Sequence, residues 1–246
     1  MGSIPVCRTI HSIEIMNIIV ISPKASEDSA KRLAKELGAD YANPYKTLNT
    51  DFTEYEVVIN YGFSQRFKVN RHVELINSFE SVGWCIDKFQ TLTTLLLSKL
   101  PVPEFSKRII DTWHTVVCHT KFEGRKNEGI EYWFRDEQKK VPAAYLYTNY
   151  YHHRGEYRVV VLKGKIVGRY RKVLDNEGMW SLELRDKRGF EDMDAACIKA
   201  ARALRMDYVG FDVLAQKKDD FVIIEANSGP ILTDESVEAF KELIGV

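Results

Sequence analysis

Two short apolar stretches near the end of the chain, YVGFDVL from Tyr208 to Leu214 and FVIIEANSGP from Phe221 to Pro230, constrain the fold more than any other part of the sequence. β-Branched and aromatic residues between polar punctuation read as strands, and Lys217-Lys218-Asp219-Asp220 supplies an exposed turn between them. Successive side chains of a strand alternate faces, so Glu225 and Asn227 point one way and Ile224 and Ala226 the other, into apolar packing. If the two strands pair, Asp212 joins Glu225 and Asn227. Two carboxylates and an amide oxygen in one small volume are hard ligands. Like charges held close raise one another's pKa, whereas Mg²⁺ accepts such oxygens and keeps phosphates and waters as its remaining ligands. The same letters also fit a strand end and a polar turn closed by Gly229-Pro230.

At 246 residues the chain is long enough to bury a full core as one large domain or two ordinary ones. Its four cysteines, Cys7, Cys85, Cys118 and Cys197, are scattered singly, which points to a reducing, cytoplasmic setting and away from a structural zinc site. Lys plus Arg and Asp plus Glu are 35 each, so no global field draws the chain to nucleic acid or to an anionic membrane. No apolar run reaches bilayer-spanning length, and the first residues lack the form of a signal peptide. Met16 directly precedes the strand-like NIIVIS, so residues 1–15 read as an extension upstream of the fold.

Asn17 to Ser22 reads as a buried strand; Ala30, Leu33, Ala34 and Leu37 follow at helical spacing, with Gly38 in a C-cap position. Residues 40–53 are polar and turn-rich, and Val57 to Ile59 form a second strand ending in Asn60-Tyr61-Gly62. This is a small α/β unit. Open α/β sheets place ligands at the carboxyl ends of parallel strands, which makes Asn60 and Gly62 candidate substrate contacts beside the ordinary-turn reading. Next, Phe89, Leu92, Leu96 and Leu100 mark a helix with Asp87 as its cap and Pro101 beyond its end. Lys88 then sits in the first turn, where the helix dipole disfavours a cation unless an anion binds there too. A solvated lysine fits as well.

Short strands follow at Thr115 to Cys118, Ile130 to Phe134 and Ala144 to Tyr150, and the loop HTKFEGRKNEG, His119 to Gly129, separates the first two. Such a loop is either a solvated hairpin or a flap able to fold over phosphates. Tyr157 to Leu162 and Lys165 to Tyr170 form a hairpin about Lys163-Gly164, with Glu156 and Arg158 on one face of its first strand and Arg169 and Arg171 sharing a face of its second. The expected result is a basic wall beside the carboxylates. Met193, Cys197, Ala200, Ala201 and Leu204 mark one further helix, and Val237, Phe240 and Ile244 the last.

Taken in order, VINYG, IDKFQTLTTLL with PVP, HTKFEGRKNEGI, AYLYTNYYHHRGEYRVVV with GRYRK, YVGFDVL and IIEANSGP resemble the ATP-grasp superfamily from about residue 57 onward. The likeness is greatest to its alpha-L-glutamate-ligase-like (RimK-type) branch of carboxylate–amine ligases, including compact bacteriophage members. The resemblance implies an α/β (α+β) ATP-grasp fold. A small N-terminal pre-ATP-grasp domain would span residues 1–82, and an ATP-grasp domain residues 83–246, with subdomains at about 83–145 and 146–246. Lys88, His119, Lys121, Gly124, Gly129, Leu146 and Tyr147 then fall at ATP-binding positions. Arg158, Arg171 and Lys172 fall at catalytic ones, and Asp212, Glu225 and Asn227 at metal ligands. His119 stands where relatives carry arginine or lysine, so either it or Lys121 fills that role, and Asn127 replaces an expected glycine. MWSLELRDKRG lacks the Arg-x-Asn segment of the glutamate-ligase branch, which bears on the substrate rather than on ATP.

The implied reaction consumes ATP with Mg²⁺, or Mn²⁺ in its place, to join a carboxylate to an amine through an acyl phosphate, on a peptide or amino-acid-like substrate. A kinase-like phosphotransferase and a nucleotide-binding or virion-associated protein without turnover are the alternatives. No membrane or nucleic-acid partner is expected, and the setting is the cytoplasm, that of the host if the chain is phage-encoded.

Overall fold

A computed structural model of the chain describes residues 16–122, 128–137, 139–174, 180–184 and 189–245. Its first unit runs β1 (Ile18–Ile21), α1 (Glu27–Leu37), β2 (Asp40–Ala42), α2 (Pro44–Thr47), β3 (Val57–Asn60) and β4 (Glu74–Ile76). The strands form one parallel sheet in the order β2-β1-β3-β4. The spacing of α1 does what it predicts: Ala30, Leu33, Ala34 and Leu37 are buried and Gly38 ends the helix at φ 64°. Residues 40–53 are more ordered than their polarity suggests, since they hold β2 and α2. The start of α2 is a cap that the sequence does carry, with Asn43 accepting from the Tyr45 amide and Pro44 opening the helix.

Two helices follow, α3 (Phe79–Ile86) and α4 (Lys88–Leu97), joined by Asp87, whose side chain accepts from the Gln90 amide at 3.0 Å. Residue 83 therefore lies inside a helix. The apolar stripe of α4 also differs from the expected one: Leu92 and Leu95 are buried, whereas Leu96 is 54% exposed. The helix stops at Leu97, and a left-handed turn at Lys99 (φ 56°) returns Leu100 to the core.

The rest of the chain builds two antiparallel sheets. β5 (Phe105–Ser106), β6 (Thr115–His119), β7 (Ile130–Phe134) and β8 (Leu146–Asn149) pair in the order β5-β8-β6-β7. β9 (Gly155–Leu162), β10 (Lys165–Leu174), β11 (Trp180–Leu184), β12 (Tyr208–Ala215) and β13 (Phe221–Asn227) pair in the order β11-β10-β9-β12-β13. α5 (Glu191–Ala203) connects β11 to β12, and α6 (Asp234–Ile244) closes the chain. Lys163 and Gly164 both have positive φ, as a two-residue hairpin turn requires.

Strand alternation gives the five-stranded sheet two unlike faces. On one, Val159, Val161, Phe211, Val213, Ile223 and Ala226 pack against α3 and α5. The other is divided along its length. Val160, Leu162, Tyr170 and Tyr208 join the core of the parallel sheet through Val20, Leu33, Ile59 and Phe240, while Glu156, Arg158, Lys172, Asp212 and Glu225 occupy the remaining half. A bulge between Asp212 and Val213 refines the expected alternation on β13: Asp212 pairs with Glu225 and Val213 with Ile223, so Ile223 rather than Ile224 fills the core beside Ala226.

The parallel sheet is clasped to β12 by Asn77. This residue is fully buried in the left-handed region (φ 65°) and accepts from the amides of Asp207 (2.9 Å) and Tyr208 (3.0 Å) while donating to the Tyr208 carbonyl (2.8 Å). Asn77→Gly keeps the backbone conformation and removes these bonds, so the loss isolates them. We expect it to lower the unfolding free energy by about 2–4 kcal/mol in urea titrations. A loss below about 0.5 kcal/mol would mean that the clasp carries no stability.

Candidate active site

On the free half of the five-stranded sheet three cations face three carboxylates. Arg158 on β9 grips Asp212 on β12 with two parallel bonds, Nε to Oδ1 and Nη2 to Oδ2, both 2.8 Å. Lys172 on β10 bonds Glu156 and lies 3.3 Å from Asp212 Oδ2. Lys88, the first residue of α4, reaches Glu225 Oε2 at 3.1 Å. Burial alone would push the Asp212 carboxyl up, but Arg158 and then Lys172 outweigh it and hold it below the ordinary range. For Lys172 burial works against the charge, yet Asp212 and Glu156 raise its pKa. Three cations thus stand against three carboxylates, and the row balances in formal charge.

Asn227 lies across the ladder from Gly210, two residues beyond Glu225 on the same face, and its buried Nδ2 has no partner among the described residues. A half-turn of the amide exchanges its nitrogen and oxygen, so this position suits either a phosphate oxygen or a cation. Glu225 has its Oε2 on Lys88 and its side chain 38% exposed. Glu225 is partly open, whereas both oxygens of Asp212 are taken by Arg158 and Lys172, so a divalent ion would use this carboxylate only by displacing those cations. Among the described residues no group of three or more His, Cys, Asp or Glu is placed to hold a metal ion, at this row or elsewhere.

Some expected site residues are not in this row. Arg171 pairs across the ladder with Tyr157, so it leaves β10 on the face opposite Lys172 and does not join Arg158. Arg169 shares that face and is used structurally, with its Nε 3.2 Å from Asp194 of α5 and its guanidinium over Phe190. The expected basic wall is therefore split between two faces. Asn60 is committed to a turn, donating to the Phe63 carbonyl (2.9 Å) and accepting from the Phe63 amide (2.8 Å), with no exposure left for a substrate. Gly62 (φ 96°) packs against Gly229 in the loop that follows Asn227.

The four-stranded sheet stands over the charged row. Lys88 acts on His119, Glu225 on Tyr145 and Glu156 on Tyr132, which places the β7 and β8 side of this sheet opposite β9 and β13. His119 ends β6, is 7% exposed and shares a 3.2 Å hydrogen bond with Thr148 Oγ1. Burial first, and Lys88 second, lower its pKa to about 3. It is a neutral imidazole and cannot replace the charge of an arginine. Lys121 pairs with Glu128 at 3.3 Å across the base of the loop, where Thr120 donates to the Gly129 carbonyl at 2.7 Å. Gly129 (φ 75°) is required there: a Cβ would lie 2.6 Å from that of Lys121. Gly124 and Asn127 lie outside the described residues. Leu146 and Tyr147 are buried, and Tyr147 turns to the far side, donating to the Pro142 carbonyl at 3.0 Å, so β8 can offer a ligand only its backbone at these two positions.

Neither a family model nor a curated protein sequence matches the chain. Solved structures do. The ATP-grasp ligase PsnB, complexed with a minimal precursor, superposes with a TM-score of 0.72 over 94% of this chain and 99% of its own, at 12% identity. The chain has the ATP-grasp fold. D-alanine–D-alanine ligase from Bacillus anthracis, complexed with ATP, shares it over 94% of this chain and 93% of its own (TM-score 0.64, 13% identity). Biotin carboxylase from Campylobacter jejuni does so over 92% and 68% (TM-score 0.58, 13% identity). The charged row lines the five-stranded one of the two antiparallel sheets.

Sequence reading overlooked Glu156 as a site residue, although its alternation with Arg158 was visible; what was missing is that its partner Lys172 arrives from β10. Two measurements probe this geometry. Breaking a buried pair from one side leaves an uncompensated charge, so Arg158→Met and Asp212→Asn should each cost about 3–5 kcal/mol, and the double variant clearly less than their sum. Additive losses in denaturant titrations would contradict the pairing. For His119 the folded pKa lies below the unfolded value of about 6.5, so the stability gained by keeping it neutral is present above that pH and is lost as pH falls toward about 3. His119→Gln should flatten the decline in thermal midpoint between about pH 6.5 and 4.5, and an unchanged decline would place the acid sensitivity elsewhere.

Proposed function

We propose that the chain is an ATP-dependent carboxylate–amine ligase acting on a peptide or amino-acid-like substrate. The observation that supports this best is the formally balanced row of Lys88, Arg158 and Lys172 against Glu156, Asp212 and Glu225 on a chain with the ATP-grasp fold. A carboxylate attacking the terminal phosphate of ATP is an anion approaching a polyanion, and the first requirement is to cancel that repulsion. Mg²⁺, held by Asp212, Glu225 and Asn227, would supply a Lewis-acid clamp on the phosphate oxygens. Lys88, Arg158 and Lys172 would turn toward phosphate once their carboxylates serve a cation. No charge then has to enter an uncompensated site, and the donors are already in place. An amine would then attack the carbonyl of the acyl phosphate formed on the substrate, making the amide as inorganic phosphate leaves and the amine gives up a proton, and exclusion of water from the site would protect that intermediate. No Ser, Cys or His nucleophile is needed. His119, being neutral, would contribute shape and a hydrogen bond rather than charge. Arg171, on the other face, stands outside this machinery.

Within the superfamily, the order of motifs favours the alpha-L-glutamate-ligase-like branch and its compact bacteriophage members, with host cytoplasm as the place of action. The PsnB neighbour was solved with precursor peptides, which favours a peptide substrate here. The test is coupled turnover. Protein incubated with Mg·ATP, hydroxylamine and a panel of acidic peptides and amino acids should release ADP and form hydroxamate in equal amount. ADP release without hydroxamate would make it a phosphotransferase instead, and nucleotide binding with neither product would make it a non-catalytic binder. Lys88→Met, on the partly open end of α4, should lower turnover about 10²- to 10³-fold without unfolding the chain. Asp212→Ala or Glu225→Ala with ATP consumption intact would refute the metal assignment.

A further inference from the structure

We propose that Tyr61, the residue after β3, is a positioning residue for Asn227 and Arg158, and that it acts on them from the parallel sheet through the carbonyl of Pro230. The inference deepens the ligase reading and rests on it for the nucleotide those two side chains meet. Asn60 and Gly62, on either side of Tyr61, are absorbed by the turn to Phe63 and by packing against Gly229. Tyr61 is the one of the three that hydrogen-bonds into the loop leaving β13. Its ring is fully buried against that of Tyr208 (5.6 Å between centroids), and its hydroxyl donates to the Pro230 carbonyl.

What this bond holds has little else to hold it. β13 ends at Asn227, and the next residue tied down is Leu232, whose amide donates to Ser29 Oγ (3.3 Å) and whose carbonyl accepts from Arg32 (3.4 Å). Between them, Ser228 to Ile231 take part in one hydrogen bond among the described residues, the one from Tyr61. Pro230 also sits on β12. A Cβ at Gly210 would lie 2.8 Å from the Pro230 Cβ and 3.6 Å from the Arg158 Cδ, so the proline ring and the arginine stem border the same bare spot. Gly210 is in turn the ladder partner of Asn227. Moving Pro230 therefore disturbs the backbone that leads to Asn227 and one wall beside Arg158. Both side chains need such a seat. The buried Nδ2 of Asn227 has no partner among the described residues, so the placement of its backbone decides where the amide points. Arg158 is fixed at its tip by Asp212; once the guanidinium turns to phosphate, the walls around its stem are what orient it, and small misplacements of such donors are costly.

The test compares the full chain with three variants. Tyr61→Phe keeps the ring and removes one hydroxyl, Gly210→Ala pushes Pro230 from the other side, and Asn77→Gly loosens the same two units without touching the loop. Calorimetry with Mg present gives the affinities for a non-hydrolysable ATP analogue and for AMP, and their ratio isolates what the outer phosphates contribute. Tyr61→Phe and Gly210→Ala should each lower that ratio at least about fivefold while AMP affinity stays within about twofold of the parent. The double variant should fall well short of the product of the two losses, because both disturb one seat. Asn77→Gly should lower the thermal midpoint and keep the ratio within about twofold. An unchanged ratio in Tyr61→Phe, or an equal fall in Asn77→Gly, would overturn the proposal. Hydrogen exchange of the Ser228, Gly229 and Ile231 amides needs no nucleotide. Tyr61→Phe should speed it at least about tenfold, and unchanged exchange would likewise overturn the proposal. A parent chain that binds neither nucleotide, with exchange accelerated in the variant, would sink the ligase reading and leave the seat standing, which keeps the two failures apart.

Discussion

The buried carboxylate of Asp212 is the constraint to which the rest of the structure answers. Taking a charge out of water costs several kcal/mol unless partners replace the solvent, and Asp212 has only 4% of its surface left. Its two oxygens accept from Arg158 and Lys172, which come from β9 and β10, so three adjacent strands must keep one register for the arrangement to survive. A slip of one residue on any of them would send its side chain to the apolar face built around Phe211 and Val213. The cluster therefore specifies the sheet as well as occupying it, and the bulge beside Asp212 is the adjustment that brings Glu225 opposite while Ile223 stays in the core.

How much of this was legible follows from the range of each signal. The pairing of β12 with β13 and the hairpin of β9 with β10 are local, and alternation with turn residues was enough to read them. The facing of Asp212 and Glu225 followed from that reading. Arg171 shows where the reading stops. Alternation within β10 states that Arg169 and Arg171 share a face but not which face, because that depends on the register against β9, where Tyr170 meets Arg158 and Arg171 meets Tyr157. Asn60 failed differently: its position at the end of a parallel strand was right, but a three-residue turn uses both ends of its amide. β11 was unread because WSLEL carries only a short alternation and its pairing with β10 is long-range.

The parallel sheet is more than an appendage to this cluster. Tyr61 donates to the Pro230 carbonyl, Ser26 to that of Tyr61 at 2.8 Å, and a Cβ on Gly229 would lie 3.1 Å from the Tyr61 carbonyl oxygen. The loop that leaves Asn227 is thus seated on the carboxyl ends of the parallel strands. With Asn77 holding β12 and with Tyr61, Tyr208 and Phe240 in ring contact, the position of Asn227 is set by both units. On the proposed reading this ties the metal ligand set to whatever substrate those loops accept, so a change in one unit alters the geometry of the other.

The two antiparallel sheets differ in chemistry, and that difference bears on the state of His119. The five-stranded sheet carries three cations and three carboxylates that pair with one another, whereas the sheet over it presents the neutral His119 and the rings of Tyr132 and Tyr145. A cation at His119 would stand near Lys88 with no carboxylate of its own, and the repulsion would either expel it or draw Glu225 away from Lys88. A neutral ring held by Thr148 avoids both and leaves Lys88 as the cation at that end of the row. In electrostatic terms a neutral residue at position 119 is what lets this row keep its balance of three cations against three carboxylates.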